Sequence, residues 1–477
     1  DQPTYNMPGV LRMRGELDED ALEAALREVL DRHPVLLARF SEGPDGLYWS
    51  PGPPADFELP RLDLRGAVAE FGGEAFTSLA EAEAEVVADL RRELPFRAML
   101  ARLGAEEWSL LVVVDHIVCD GWSLSVFLAD LADAYNRRRS PATRNGGSPA
   151  VADRPGSGSG YSFADYCHEE LASRLRSDRD EVLAEWRALA DGPLALSPLR
   201  PSAPGRPASG HSPAEQARPE PATGTGQVVQ WIEADLAEAI RALAAGTATT
   251  PYMVFGTAVA ALTHSGADRR ETVLLGTLIA QRDRPEWRGI VGPLLTVGVL
   301  AVDLEPADPV ATALHRTRDG ALRAYRASHL PFQELAPLFP AAPGGDGSPF
   351  EVLLVLQPPD TPAVFDGLDT ELEDLVPAVA AYPLVVDIAQ RGDRYRVSWR
   401  YAAERYDHAG VADLAARLDA AVRASVADPD RPVARPSPSE TQLPGAPQAE
   451  ASSPGEPRPE TPQPETPPTG ALHAEQN

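Results

Sequence analysis

Proline, glycine and serine are unevenly distributed along this chain, and their clusters limit where it can fold. Proline cannot continue a helix interior or a central strand, and Pro/Gly/Ser clusters mark segments without regular structure. From Pro436 to Asn477 there are eleven prolines, six glutamates and one arginine, with alanine as the main apolar residue. Such a stretch cannot bury enough surface to offset the entropy of ordering it. A disordered Pro/Glu-rich tail over 434–477 is therefore expected. A second cluster, with Pro201-Ser-Ala-Pro204-Gly205 and Pro219-Glu-Pro-Ala-Thr-Gly224, predicts a linker over 193–227. A third, ending in Gly156-Ser-Gly-Ser-Gly160, predicts a flexible loop over 137–160. Two ordered halves remain, 1–192 and 228–433.

Both halves mix helices with strands. Leu22, Leu26, Val29 and Leu30 recur at helical spacing between Leu17 and His33, and Pro34 ends that pattern. Trp108 to Val114 is an apolar run of strand length, suited to burial on both faces. The polar stretch Asp115 to Asp120 follows it, and helical periodicity resumes from Ser123 to Leu131. In the second half, Met253–Leu262 predicts a helix, and Thr272–Leu278 and Phe350–Leu356 predict strands. The fold class is α+β, or mixed α/β, without the regular βαβ repeat of a dinucleotide fold. No Gly-x-Gly-x-x-Gly follows any strand, which argues against NAD and flavin.

Composition narrows the chemistry. All 43 basic residues are arginine, so there is no Schiff-base lysine, pyridoxal phosphate anchor or Walker-type phosphate loop. A net charge of −28 argues against nucleic acid as a partner. Cys119 and Cys167 make neither a disulfide framework nor a spaced zinc site, so no metal is expected and a reducing cytoplasm fits best. No apolar run approaches the ~20 residues needed to cross a bilayer. The beginning, Asp1-Gln2-Pro3, reads as a cut or processed end.

The stretch Val114-Asp115-His116-Ile117-Val118-Cys119-Asp120-Gly121-Trp122-Ser123 carries the chemistry. A histidine leaves the end of a buried strand, and an aspartate follows four residues later. Neutral imidazole can take a proton from an amine or hydroxyl near neutral pH. Asp120 can tie the loop down, and Gly121 lets the backbone approach another segment closely. Spacing alone fits a hydrogen-bonded structural pair as well. Plain readings apply elsewhere: Cys119 is a packed thiol, His33 and His329 are structural, and Arg137-Arg138-Arg139 is a solvated run. Ser212, in a proline-rich stretch without flanking leucines, is not a phosphopantetheine attachment site.

This stretch resembles the H-H-x-x-x-D-G signature of the condensation domains of nonribosomal peptide synthetases, relatives of chloramphenicol acetyltransferase. The resemblance continues in order through Tyr5-Asn-Met-Pro8 with Leu11-Arg-Met-Arg-Gly15, Arg32-His-Pro-Val-Leu36, Pro95-Phe-Arg-Ala98 and Tyr161-Ser-Phe-Ala-Asp165-Tyr166. It goes on through Thr250-Pro-Tyr-Met253, Leu275 to Pro285, Ile290-Val-Gly-Pro293 and His329-Leu-Pro-Phe-Gln-Glu-Leu335, covering about residues 5–430. It implies two chloramphenicol-acetyltransferase-like subdomains in a V-shaped pseudo-dimer with a central tunnel. Upstream donor and downstream acceptor peptidyl carrier proteins would present acyl groups on phosphopantetheine arms, and the domain itself would hold no cofactor. It would act as a monomer, with neighbouring synthetase domains as further partners. His116 would serve as general base or amine-positioning group, Asp120 would hold the loop, and the Gly121 backbone would line the reaction centre. Asp115, Trp122 and Ser123 flank them.

Three positions depart from the pattern. Asp115 replaces the first histidine, and Leu37 stands where the family has an arginine that pairs with the signature aspartate. Leu295-Thr296-Val297 stands for the family's V-N-T. Asp120 therefore needs another partner, for which Arg39 is the candidate near in sequence. Asp115-x4-Asp120-x2-Ser123 also matches the heterocyclization signature, and an inactive or specialised docking domain of the same fold is a further alternative. Epimerization domains share the signature, and a free-standing acyltransferase shares the His-x-x-x-Asp spacing.

Overall fold

The computed structural model describes residues 5–44, 46–139, 161–173, 178–195, 199, 224–264, 269–342, 347–357, 363–374 and 382–433. The expected tail, Ser212, and most of the expected linker and loop lie outside the described residues.

The chain opens with strand β1 (Asn6–Gly15) and helix α1 (Glu19–Arg32). The Asp18 carboxylate accepts the Ala21 N–H at 3.0 Å and caps α1, whose inner face buries Leu22, Leu26, Val29 and Leu30. Pro34 then opens a short 3₁₀ turn, Pro34–Leu37. There follow β2 (Ala38–Gly43), β3 (Gly46–Pro51), β4 (Arg61–Asp63), α2 (Arg65–Phe71), α3 (Glu74–Glu85), β5 (Phe96–Arg102), β6 (Glu107–Asp115) and α4 (Gly121–Arg139). Strand β6 is central, and its residues alternate between two cores. Leu110, Val112 and Val114 pack with α1 and α4, whereas Leu111 and Val113 pack with Phe76 and Ala80 of α3.

Helix α4 runs through Arg139, so the triplet Arg137–Arg139 is helical and paired, not loop or solvated run. Arg137 and Arg138 both reach Glu28 on α1, and Arg139 donates to the Glu16 carbonyl. Composition could not reveal this, because the partners come from another helix.

Next come α5 (Phe163–Ser173), α6 (Arg179–Ala190), β7 (Thr225–Ile232), α7 (Ala234–Gly246), α8 (Pro251–Thr263), β8 (Glu271–Ala280), β9 (Leu295–Leu304), α9 (Val310–Arg326), α10 (Phe332–Leu335), β10 (Val352–Leu356), β11 (Leu368–Asp374), β12 (Leu384–Arg391), β13 (Arg394–Ala402) and α11 (His408–Ala427). The expected linker is narrower than its composition suggests at both ends. The Ala195 N–H donates to the Thr272 carbonyl at 2.9 Å, the Thr272 N–H donates to the Pro193 carbonyl at 2.8 Å, and β7 begins at Thr225.

The first sheet has the order β11-β1-β6-β5-β4 and the second β7-β13-β12-β10-β8-β9, with β2 and β3 forming a separate hairpin. Strand β10 pairs parallel to both β8 and β12. Helices α7, α8 and α11 cover one face of the second sheet, and α6 with α10 covers part of the other. The edge strand of the first sheet, β11, is supplied by the second half of the chain, with Leu11 opposite Leu372. Phe365, just before it, is 1% exposed in the first-half core against Tyr135.

Candidate active site

Strand β6 ends at Asp115, and the turn beyond it is closed locally. Asp115 Oδ1 accepts the Ile117 N–H at 2.9 Å, and the Asp115 carbonyl accepts that of Val118 at 3.1 Å. This is the Asx turn that aspartate forms readily. The His116 N–H is anchored on the Tyr5 carbonyl at 2.8 Å. Ile117, Val118 and Cys119 pack into the core shared with α1 and α4. His116 is half-buried, and among the described residues its imidazole nitrogens take no hydrogen bond.

Asp120 is the N-cap of α4. Its Oδ1 accepts the Ser123 N–H at 2.7 Å and its carbonyl that of Leu124 at 3.0 Å. The same carboxylate links the two halves. Arg282, beyond β8, places Nη2 at 3.1 and 3.2 Å from its two oxygens, and the Leu294 N–H donates to Oδ2 at 3.0 Å. Arg282 Nη1 holds the carbonyls of Trp287 and Ile290 at 2.9 and 2.8 Å, so the segment 282–294 wraps the guanidinium. Ser123 Oγ lies 2.7 Å from both Asp120 Oδ1 and the Gly292 carbonyl, and accepts from Gly292 N at 3.0 Å. Trp122 Nε1 donates to the Arg288 carbonyl at 2.9 Å, and its ring lies 5.7 Å from the Arg282 guanidinium carbon. Asp120 and Arg282 are 2% and 4% exposed, so their charges are balanced inside the protein.

The partner of Asp120 is therefore Arg282 and not Arg39. Arg39 binds Asp56 at 2.7 Å and the Arg92 carbonyl at 3.1 Å. Leu37, in the family's arginine position, is buried in the 3₁₀ turn, and its carbonyl takes the Gly52 N–H at 2.8 Å. Arg282 lies in the family-like segment Leu275 to Pro285, but nothing local pairs it with Asp120, 162 residues away.

Asp115 does not join this network. Alternation along β6 puts it on the α3 side with Val113, near Arg97, whose Nη2 holds the Glu83 and Val86 carbonyls at 3.0 Å. Burial raises the Asp115 carboxyl above its ordinary range, against the Ile117 N–H and the charges of His116 and Arg97. Asp115, Asp120 and Ser123 thus do not converge on one point. Leu295, Thr296 and Val297 open β9 opposite Ala280, Ile279 and Leu278.

Sequence reasoning missed Gln357. Its amide oxygen lies 3.2 Å from where a Cβ on Gly121 would stand, and its Nε2 donates to Asp387 Oδ2 at 2.7 Å. Arg400 Nη2 also reaches Asp387 Oδ2, at 3.0 Å. A signal was available, because Gln357 is the polar residue ending a buried strand, as His116 is. The close approach expected of Gly121 is made to this side chain.

The remaining candidates have structural partners or none. Cys119 is 1% exposed, its Sγ–H is 3.4 Å from the Asp120 carbonyl, and burial pushes the thiol up. His33 Nε2 meets Asp130 Oδ2 at 2.8 Å and ties α1 to α4; burial would raise the Asp130 carboxyl, but His33 and Arg32 hold it low. His329 lies 3.8 Å from an Asp178 oxygen. Among the described residues no His/Cys/Asp/Glu group could hold a metal ion, and no helix is long and apolar enough to cross a membrane.

A profile of the family described as Condensation domain matches residues 1–442. CymA of Salinispora arenicola, described as a nonribosomal peptide synthetase, is 33% identical over 441 residues, which is 90% of this chain and 5% of that protein. A linear gramicidin synthase of Brevibacillus parabrevis is 30% identical over 369 residues, 76% of this chain and 7% of the matched polypeptide. The chain thus spans less than a tenth of the length of these relatives. Among solved structures, the first condensation domain of the calcium-dependent antibiotic synthetase aligns with TM-score 0.70 at 19% identity, covering 91% of this chain and 93% of that one. The X-domain from teicoplanin biosynthesis aligns with TM-score 0.68 at 23% identity, covering 90% and 92%. These likenesses show a shared mixed α/β, chloramphenicol-acetyltransferase-like fold.

Proposed function

The chain belongs to the condensation-domain family of nonribosomal peptide synthetases, and from that premise we propose that it forms an amide between two carrier-bound partners. The amine of the acceptor attacks the carbonyl carbon of the donor thioester, the C–S bond breaks, and the donor's phosphopantetheine thiol leaves. The proton lost by the amine passes through His116 to the departing sulfur, so no external acid or oxidant is needed. A thioester is already activated, and much of the acceleration comes from holding two tethered reactants together. Upstream and downstream peptidyl carrier proteins supply the substrates on their arms, and the chain itself holds no cofactor. A cytoplasmic setting fits this role.

The observation that carries the proposal is the state of His116. Its imidazole is free of hydrogen bonds among the described residues, yet the backbone on either side is fixed by the Asp115 turn and by the Asp120–Arg282 network. A second reading, a docking domain without catalysis, draws on Asp115 in place of the first histidine. Asp115 faces α3 and closes the His116 turn, which favours catalysis over docking. Heterocyclization draws on Asp115, Asp120 and Ser123 acting together; Asp120 and Ser123 bond to each other, but Asp115 stands apart on the α3 side, which disfavours it.

The test loads donor and acceptor carriers with a panel of acyl and aminoacyl groups and follows product by intact mass. Amide from the wild type and a loss of at least about 100-fold with His116→Ala are expected, in line with removal of an acid–base group. Equal product from the two proteins would refute a role for His116. No product from any pair, with retained binding of a partner protein, would favour docking.

A further inference from the structure

Gln357 follows β10 and is held by two neighbouring strands. Asp387 on β12 accepts from Gln357 Nε2 at 2.7 Å and, on the same oxygen, from Arg400 on β13 at 3.0 Å. The Asp387 and Arg400 side chains are 13% and 31% exposed, so this pair is partly shielded from water. A carboxylate held by an arginine only accepts hydrogen bonds, so the amide nitrogen must face Asp387 and the amide oxygen must face away. That oxygen points at Gly121, 3.2 Å from where a side chain there would begin. The second half of the chain thus presents a fixed, acceptor-only group to the glycine end of the His116–Gly121 motif.

We propose that Gln357 holds one N–H of the acceptor's amine beside Gly121 while His116 takes the proton from the other; this rests on the amide-forming reading above. A neutral amine has one lone pair and two N–H groups. The lone pair attacks the thioester carbon, one proton passes through His116 to the departing sulfur, and the second N–H stays on Gln357 into the amide product. A hydroxyl nucleophile has a single proton, which His116 would take, leaving the Gln357 oxygen without a partner. Gln357 therefore discriminates for an amine over a hydroxyl acceptor of the same carbon skeleton. Asp387 and Arg400 are positioning residues, acting through the orientation of the amide.

The experiment uses the full chain, a donor carrier from a pair that yields amide, and acceptor carriers bearing alanyl or lactyl groups. It compares kcat/KM for the two acceptors in the wild type, Gln357→Leu and Asp387→Asn. Gln357→Leu is expected to lower the amine reaction about 10- to 100-fold, as loss of a hydrogen bond to a developing charge does. The donor KM and any lactyl reaction should change less than about 2-fold, so the amine preference collapses. Asp387→Asn, nearly isosteric, frees the amide to flip and should reduce the preference in the same direction by a smaller factor. It decides the matter if Gln357→Leu fails to fold. An amine-to-hydroxyl ratio unchanged in the variants, with amide made by the wild type, overturns this inference alone. Absence of amide from the wild type over the whole panel overturns it together with the reading on which it rests.

Discussion

Asp120 and Arg282 bury opposite charges with 3% and 2% of their side-chain surface exposed. Such a pair adds little over an apolar pair of the same shape, but breaking it strands a charge. Arg282→Met should therefore cost about 3–5 kcal/mol, read from denaturant unfolding. Asp120→Leu combined with Arg282→Met should cost clearly less than the sum of the two single changes, as groups in one network do. Asp115 behaves differently. Its carboxyl is raised in the fold by burial, so its contribution is present below the unfolded carboxylate value and lost as pH rises through the folded one. Asp115→Asn keeps the oxygen that closes the turn and cannot ionise. The variant should be more stable than the wild type at pH 7, with the gap closing as pH falls below about 4, where the unfolded carboxylate protonates. Denaturation midpoints measured at both pH values check this. The turn carrying His116, Asp120 and Gly121 was legible from one short motif. Arg282 lay within the family-like segment Leu275 to Pro285, but nothing there assigned it to Asp120 rather than any other of the 43 arginines.

Helix α9 lies so close on β9 that a Cβ on Gly320 would stand 2.1 Å from the Ala301 carbonyl oxygen. Backbone on both sides cannot move aside cheaply, so Gly320→Ala should destabilise by about 1–3 kcal/mol. Gly66 in α2 is also helical but meets nothing within 4 Å. There the same change should be neutral to stabilising by up to about 1 kcal/mol, because alanine loses less entropy in a helix. Thermal or chemical unfolding of the two variants side by side separates packing from propensity. Several elements were readable at this scale. The apolar spacing between Leu17 and His33 became α1, and the run Trp108–Val114 became the centre of β6. The expectation differed at Arg137–Arg139, which the Pro/Gly/Ser cluster that follows drew into the expected loop, whereas α4 continues through Arg139 and Arg137 and Arg138 pair with Glu28 on α1.

The second half of the chain contributes a strand to the first sheet. Strand β11 closes the edge of the first sheet, the Arg12–Glu373 pair at 2.7 Å reinforces it, and the Asn136 side chain clasps the Val364 carbonyl and the Asp366 N–H at 2.8 and 2.7 Å. Phe365 fills the first-half core from this segment. Phe365→Ala should cost about 3–5 kcal/mol, the usual range for emptying a buried phenylalanine site. Because this stretch of the second half packs into the first sheet and its core, tertiary signal by near-UV circular dichroism and helix signal by far-UV should shift together. A first-half transition that stays where it was would contradict the coupling.

By itself the sequence determined the mixed class, several of its helices and strands, and the motif from Asp115 to Ser123. Those features are written within a single turn, strand or helix, where periodicity, capping and turn chemistry act over a few residues. Only the tertiary structure decided which arginine neutralises Asp120, which side chain abuts Gly121, and which sheet receives Leu368–Asp374. These choices join residues between 162 and 361 positions apart, as in Asp120–Arg282 and Arg12–Glu373. Their outcome depends on which surfaces pack together after the elements form, and no local pattern carries that information.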